Sequence, residues 1–170
     1  MNIALVGMMG CGKTTIGKLI AKELGFSFID TDELIVEEEN RSINKIFEEN
    51  GEEYFREIET SILIKTLNND NQIISTGVGI IKKDENIKLL KEKSIFIYLE
   101  ADDKTLYNRV KNNKGRPLLN VDNMQEKITT LLKERENKYK QAHNTISTKN
   151  KEPNDIANEI TGIINEYSRS

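Results

Sequence analysis

Residues 7–14, GMMGCGKT, constrain this chain more than anything else in its sequence. They satisfy the pattern G-x-x-x-x-G-K-[ST], and both flanks are of the required kind. Before them, residues 2–6 form a short apolar run with the character of a buried parallel strand. After them, Ile16, Leu19, Ile20 and Leu24 fall on one helical face that Gly25 closes. A strand that turns through glycines into a helix gathers backbone N–H groups and the positive end of the helix at one point, which is a cradle for phosphate. Lys13 is placed to neutralise the outer phosphates and the Thr14 hydroxyl to ligate magnesium. Gly10, Cys11, Gly12 and Thr15 complete the expected nucleotide contacts, Cys11 through its backbone, its thiol being incidental.

The rest of the chain alternates strand-like and helical patterns. Residues 26–29, 72–75, 94–99 and 144–147 are short runs of strand character, separated by helices. This order predicts an α/β fold of three layers, a five-stranded parallel sheet between helices. The segment GEEYFREIETSILIKTL reads as a helix with Phe55, Ile58 and Ile62 inward. In NMQEKITTLLKERENKYKQA the stripe of Ile128, Leu131, Leu132 and Tyr139 is interrupted by Arg135. NNKGRPLLNVDN lacks helical periodicity and reads as a surface loop. Glu37, Glu38 and Glu39 read as a solvated helix end.

A chain of 170 residues suits one compact domain, here 1–170, without linkers or repeats. Its net charge of −3 gives no basic excess for a nucleic-acid backbone or an anionic membrane, and no apolar run reaches spanning length. The start reads as the first strand rather than a signal peptide, and the single cysteine suits a reducing compartment, so a cytoplasmic protein is expected, with a monomer as the default.

In open parallel sheets, ligands sit outside the carboxyl ends of the strands. That rule brings three strand ends to one crevice: the phosphate loop, the DTDE of residues 30–33, and the TGVG of residues 76–79. Asp30 is assigned to magnesium. Asp32 has two readings: a base for an alcohol acceptor, or a helix N-cap. A carboxylate there would repel an anionic nucleotide acceptor, which favours the alcohol. Arg135 should face inward, where an unpaired guanidinium is costly, so an anion is expected to meet it. Arg56 shares a face with Thr60, Leu63 and Leu67, and by spacing it either faces inward too or pairs with Glu52 at the surface. Two inward arginines would suit a carboxylate or phosphate on the acceptor.

The set GMMGCGKTT, DTDE, FREIE, TGVG, GRPLL and KERENKY, in this order over most of the chain, resembles the shikimate kinases. The loop motif is common to many NTPases; the others at these spacings are narrower. The resemblance implies a P-loop kinase of the nucleoside-monophosphate-kinase-like type, ATP and shikimate as substrates, magnesium as cofactor, an acceptor-binding segment at about 31–60 and a lid at about 112–124. It makes Thr14 and Asp30 the metal positions, Asp32 the ring-hydroxyl contact and base, and Arg56 and Arg135 a clamp on the shikimate carboxylate. It makes Arg116 the lid arginine that reaches the phosphates, where spacing alone also allows a solvated loop charge. Arg109 and Pro153 become the pair that sandwiches adenine. Residues 77–79 are glycines in most of the family, with backbone N–H groups near the acceptor; here they are Gly77, Val78 and Gly79. A valine fits only if its φ is negative, and the flanking glycines are then expected to take the special dihedrals. The rivals are a kinase for a sugar acid or a nucleoside monophosphate, and a non-catalytic ATP-binding module.

Overall fold

The computed structural model describes residues 1–111 and 123–170. Five parallel strands, β1 (Asn2–Val6), β2 (Ser27–Asp30), β3 (Gln72–Ser75), β4 (Ile95–Glu100) and β5 (Asn144–Ser147), pair in the order β2-β3-β1-β4-β5. β1, β3 and β4 hold the three interior positions and have their apolar side chains buried, with Ile3, Ala4, Leu5 and Val6 wholly so. That is the burial expected of strands covered on both faces. The edges of two strands differ from the expected bounds by one residue, and in β2 the shift matters because Asp30 becomes the last strand residue.

Helices α1 (Lys13–Leu24), α2 (Thr31–Glu39), α3 (Ile43–Leu67), α4 (Asp84–Lys93), α5 (Asp103–Val110), α6 (Met124–Tyr139) and α7 (Pro153–Arg169) connect and cover the strands. Parallel crossovers are right-handed. The chain leaves β1 for β2 in one direction and returns through β3, β4 and β5 in the other, so α1 lies on one face and α3, α4 and α6 on the opposite face. α7 then packs against α1, and α3 against α4. The expected α/β sheet flanked by helices is what the chain forms.

α1 ends at Gly25, whose φ of 69° provides the left-handed cap and whose N–H returns to the Ala21 carbonyl. α3 starts earlier than its periodicity suggested, at a Ser42 cap, and is broken at Gly51 by φ 82° and ψ 176°. Phe55 and Ile62 join Ile35 and Ile46 in a small apolar cluster separate from the main core, with Ile58 half-buried against it. This cluster seats α2 and α3 beside the sheet's edge. The solvated end expected at residues 37–39 holds for Glu37 but not for Glu39, which accepts from Tyr54 Oη at 2.8 Å and from Arg41 Nη2 at 3.0 Å. That network ties the end of α2 to α3. Among the described residues, no helix is long and apolar enough to cross a membrane.

Candidate active site

The loop between β1 and α1 depends on glycine at three positive-φ positions, Gly7 at 150°, Gly10 at 82° and Gly12 at 103°. A Cβ on Gly10 would also come within 2.7 Å of Val110 on α5. Lys13 lies across the loop and donates from Nζ to the carbonyls of Gly7 at 2.7 Å and Met8 at 3.2 Å. The Cys11 thiol is buried and belongs to the packing, as expected. Arg109 reaches from α5 to the Gly10 carbonyl at 3.2 Å and to Thr148 Oγ1 and O at 3.1 and 3.0 Å. It therefore braces the phosphate loop, and it lines the same cavity as Pro153, the first residue of α7.

A cavity of about 740 Å³ opens at the carboxyl ends of β1, β2 and β3. Gly10, Cys11, Gly12, Lys13, Thr14, Thr15, Asp30, Asp32, Arg56, Gly77, Val78, Gly79, Arg109, Arg135 and Pro153 all line it. Arg116 and most of the expected lid fall outside the described residues. Opposite the loop, Val36, Ile43, Phe47 and Phe55 give the cavity an apolar wall.

The two aspartates divide their work differently from one of the two readings. α2 begins directly after β2, and Asp30 is its cap: Oδ1 accepts from the N–H groups of Asp32 at 2.9 Å and Glu33 at 3.3 Å. Asp32 is thus not the cap, and its carboxylate projects from the first turn toward Gly77. Burial first, and then the nearby Asp30 and Glu59, push its pKa from the ordinary 3.8 up to about 6, against the pull of Lys13 and Arg56. A carboxyl so placed is ionised at neutral pH yet basic enough to accept a proton.

Arg56 makes both of the contacts that spacing had left as alternatives. Its Nε is 3.4 Å from Glu52, and its Nη1 is 2.9 Å from Glu59, whose side chain is only 1% exposed. Burial raises the Glu59 pKa even so, with Arg56 and then Arg135 pulling the other way. Arg135, half-buried on the cavity wall, has no carboxylate within ion-pair distance among the described residues. The anion expected to meet it does not come from those residues.

Gly77 and Gly79 are needed for room rather than for dihedrals. Neither has a positive φ, and Val78 has none either, so valine fits and the expectation that its glycine neighbours take special dihedrals is corrected. A Cβ on Gly77 would lie 2.6 Å from Asp32 Oδ1 and 2.9 Å from Glu59 Oε2, and one on Gly79 would collide with the Arg56 guanidinium. The Gly77 N–H is already used, donating to Thr31 Oγ1 at 3.2 Å. Of the three N–H groups of residues 77–79, those of Val78 and Gly79 have no partner among the described residues. Thr31 and Glu59 are site residues that sequence reasoning left unassigned. Their signals lay inside DTDE and FREIE; Glu59 pairs with Arg56 on its own helix, but the approach of Thr31 and Glu59 to Gly77 joins distant segments.

Three carboxylates (Asp30, Asp32, Glu59), three guanidinium groups (Arg56, Arg109, Arg135), two N–H donors and a phosphate cradle around one cavity suit phosphoryl transfer to a small acceptor that carries both an alcohol and an anion. The comparisons agree. A family model described as shikimate kinase matches residues 9–165. A shikimate kinase of Persephonella marina is 42% identical over 96% of this chain and 98% of its own length, and one of Thermodesulfovibrio yellowstonii is 40% identical over 99% and 95%. The solved shikimate kinase from Acinetobacter baumannii, in complex with shikimate, superimposes with a TM-score of 0.91 at 38% identity, covering 98% of this chain and 93% of that one. With the family model spanning nearly the whole chain and full-length relatives this similar, the chain belongs to the shikimate kinase family.

Proposed function

We infer that this chain transfers the γ-phosphate of ATP to the 3-hydroxyl of shikimate, giving shikimate 3-phosphate and ADP. The observation that carries the reading is Asp32, a carboxyl lifted to about 6 beside Arg56, in a cavity that Arg135 also lines and across which the Lys13 cradle lies. We assign Asp32 to take the proton from the 3-hydroxyl as its oxygen attacks, and Arg56 and Arg135 to hold the acceptor carboxylate. The N–H groups of Val78 and Gly79 add donors, and Gly77 provides the space in which Asp32 works. The phosphate end belongs to Gly10, Cys11, Gly12, Lys13, Thr14 and Thr15, with Arg109 and Pro153 flanking the base. Arg116, which lies outside the described residues, is assigned to the transferring phosphoryl group on the resemblance. The segment at about 31–60 is the acceptor-binding part of a single domain, and residues at about 112–124 its lid.

Magnesium fits the donors that are present. The Thr14 hydroxyl and the Asp30 carboxylate are hard oxygen ligands, and Asp30 caps α2 through Oδ1 alone, which leaves Oδ2 available. Few protein ligands are usual for a magnesium ion that shares phosphates and water, in keeping with the absence of any cluster of three metal-binding side chains among the described residues. When bound, the ion would neutralise phosphate charge; the chain's own work is to position the reactants and exclude water. We place the protein in the cytoplasm as a monomer acting on small molecules. Its net charge of −3 offers no attraction to nucleic acid or anionic membranes.

The test is acceptor-dependent ADP release at fixed ATP and magnesium, with shikimate, gluconate and a nucleoside monophosphate compared. Release stimulated by shikimate alone supports the reading. A preference for gluconate points to a sugar-acid kinase, and release unaffected by any acceptor to an ATP-binding module.

A further inference from the structure

In the sequence Tyr139 is one apolar position on the stripe of α6, and its ring does serve there. It is wholly buried and stacks on Tyr98 of β4, with ring centroids 5.0 Å apart and planes 13° from parallel. Its hydroxyl does something else. Oη donates to the Val78 carbonyl at 2.6 Å, close to Met8 Sδ at 3.9 Å, so one group touches both the acceptor loop and the phosphate loop. Burial holds the phenol pKa well above its ordinary value, so the group remains a donor throughout the working range of pH.

We propose that Tyr139 is a positioning residue whose hydroxyl sets the plane of the Val78–Gly79 peptide and so aims the Gly79 N–H at the acceptor. The peptide is trans, so its carbonyl and its N–H point in opposite directions. With the Val78 carbonyl turned to the buried hydroxyl, the Gly79 N–H must turn away from that hydroxyl, while the Arg56 guanidinium packs over the place where a Gly79 Cβ would stand. The rest of the turn is pinned, by Gly77 N–H on Thr31 and by Ile80 N–H on the Gly77 carbonyl at 3.1 Å. The Val78–Gly79 peptide is the one plane that neither of these contacts restrains. Arg135 stands one turn before Tyr139 on the same helix, so the same hydrogen bond also sets the spacing between that guanidinium and the Gly79 donor. The inference rests on the reading that Gly79, Arg56 and Arg135 face the acceptor.

Tyr139→Phe keeps the stacked ring and removes the hydroxyl, which donates to the Val78 carbonyl and also lies beside Arg135, so the Gly79 amide measurement below separates the two contacts. Calorimetric titration should show shikimate bound about three- to tenfold more weakly, the range that one hydrogen bond is worth, with ADP affinity within about twofold of the wild type. In turnover, KM for shikimate should rise more than kcat falls. A hydroxyl that merely supports the fold would lower the melting temperature and leave the ratio of shikimate to ADP affinity unchanged, and that result overturns the proposal. Arg56→Ala separates the two levels. If it weakens shikimate while Tyr139→Phe does not, the positioning role alone is refuted; if Arg56→Ala leaves shikimate binding intact, the acceptor reading falls and the proposal with it. A second measurement needs no variant: on titrating the wild type with shikimate, the Gly79 amide should shift and gain protection from exchange far more than Gly77, whose proton is already bonded. Equal responses, or none at Gly79, would refute the aim assigned to that peptide.

Discussion

Replacing Asp32 by Asn should make the protein more stable at neutral pH while lowering turnover by about 10²-fold or more. The carboxyl is held at about 6 against an ordinary 3.8, mainly by burial. The folded state therefore keeps a proton that the unfolded chain releases between those values, and stability falls as pH rises through that window. At 1.36 kcal/mol per pKa unit, ionised Asp32 costs the fold about 3 kcal/mol at pH 7.5, about half of that at pH 5, and little near pH 4. Asn is nearly isosteric and uncharged, so the variant should recover most of this cost, which for a chain of this size raises the melting temperature by about 6 to 12 °C. Urea unfolding of both proteins at pH 7.5, 5 and 4, without ligands, measures it by linear extrapolation. The difference should shrink steadily on acidification. An Asn variant no more stable than the wild type at pH 7.5, or one whose advantage is independent of pH, would refute the claim that Asp32 is kept in a strained, desolvated position for its chemistry.

The two arginines should separate in stability although they agree in binding. Arg56→Ala and Arg135→Ala should each weaken shikimate by about 2 to 5 kcal/mol and spare ADP in calorimetric titration, but only Arg56→Ala strands the buried Glu59 and should also lower unfolding stability by about 1 to 3 kcal/mol. Gly79→Ala, which drives a methyl group into the Arg56 guanidinium, should raise KM for shikimate by about tenfold or more with the KM for ATP little changed; equal effects on both would mean that the loop serves the nucleotide instead. Val78→Gly should leave shikimate affinity within about 1 kcal/mol of the wild type and cost about 0.5 to 1 kcal/mol of stability, since no positive φ is waiting for the glycine; tenfold tighter binding would show that the valine had reshaped the pocket.

What could be read from sequence follows the range of the contacts involved. The phosphate loop was legible because its glycines, lysine and threonine act through neighbours a few residues away. Arg135 was legible because a charge that interrupts an apolar stripe must face what the stripe faces. Asp30 was legible as a strand-end carboxylate but not as a cap, because nothing local shows that α2 starts without an intervening loop and leaves the last strand residue to hold its first N–H groups. Glu59 reads as one more acid on a charged helix, and only the packing of α3 against the turn at Gly77 buries it. Gly77 and Gly79 look like residues chosen for their dihedrals, whereas the structure uses their missing side chains to admit Asp32, Glu59 and Arg56. The lid assigned to residues at about 112–124, with Arg116, is supported by resemblance rather than by described geometry.

The most direct measurement of the central claim, that Asp32 deprotonates the 3-hydroxyl of shikimate for phosphoryl transfer, follows the phosphate itself. Wild type and Asp32→Asn would be incubated with ATP, magnesium and shikimate, the product's phosphate position read by phosphorus–proton NMR, and the binding of shikimate and ADP to each protein measured alongside. The expected result is phosphate on the 3-oxygen with the wild type, and turnover lower by about 10²-fold or more with the Asn variant while ADP still binds. Phosphate on another oxygen, or an Asn variant that turns over within about tenfold of the wild type, would contradict it.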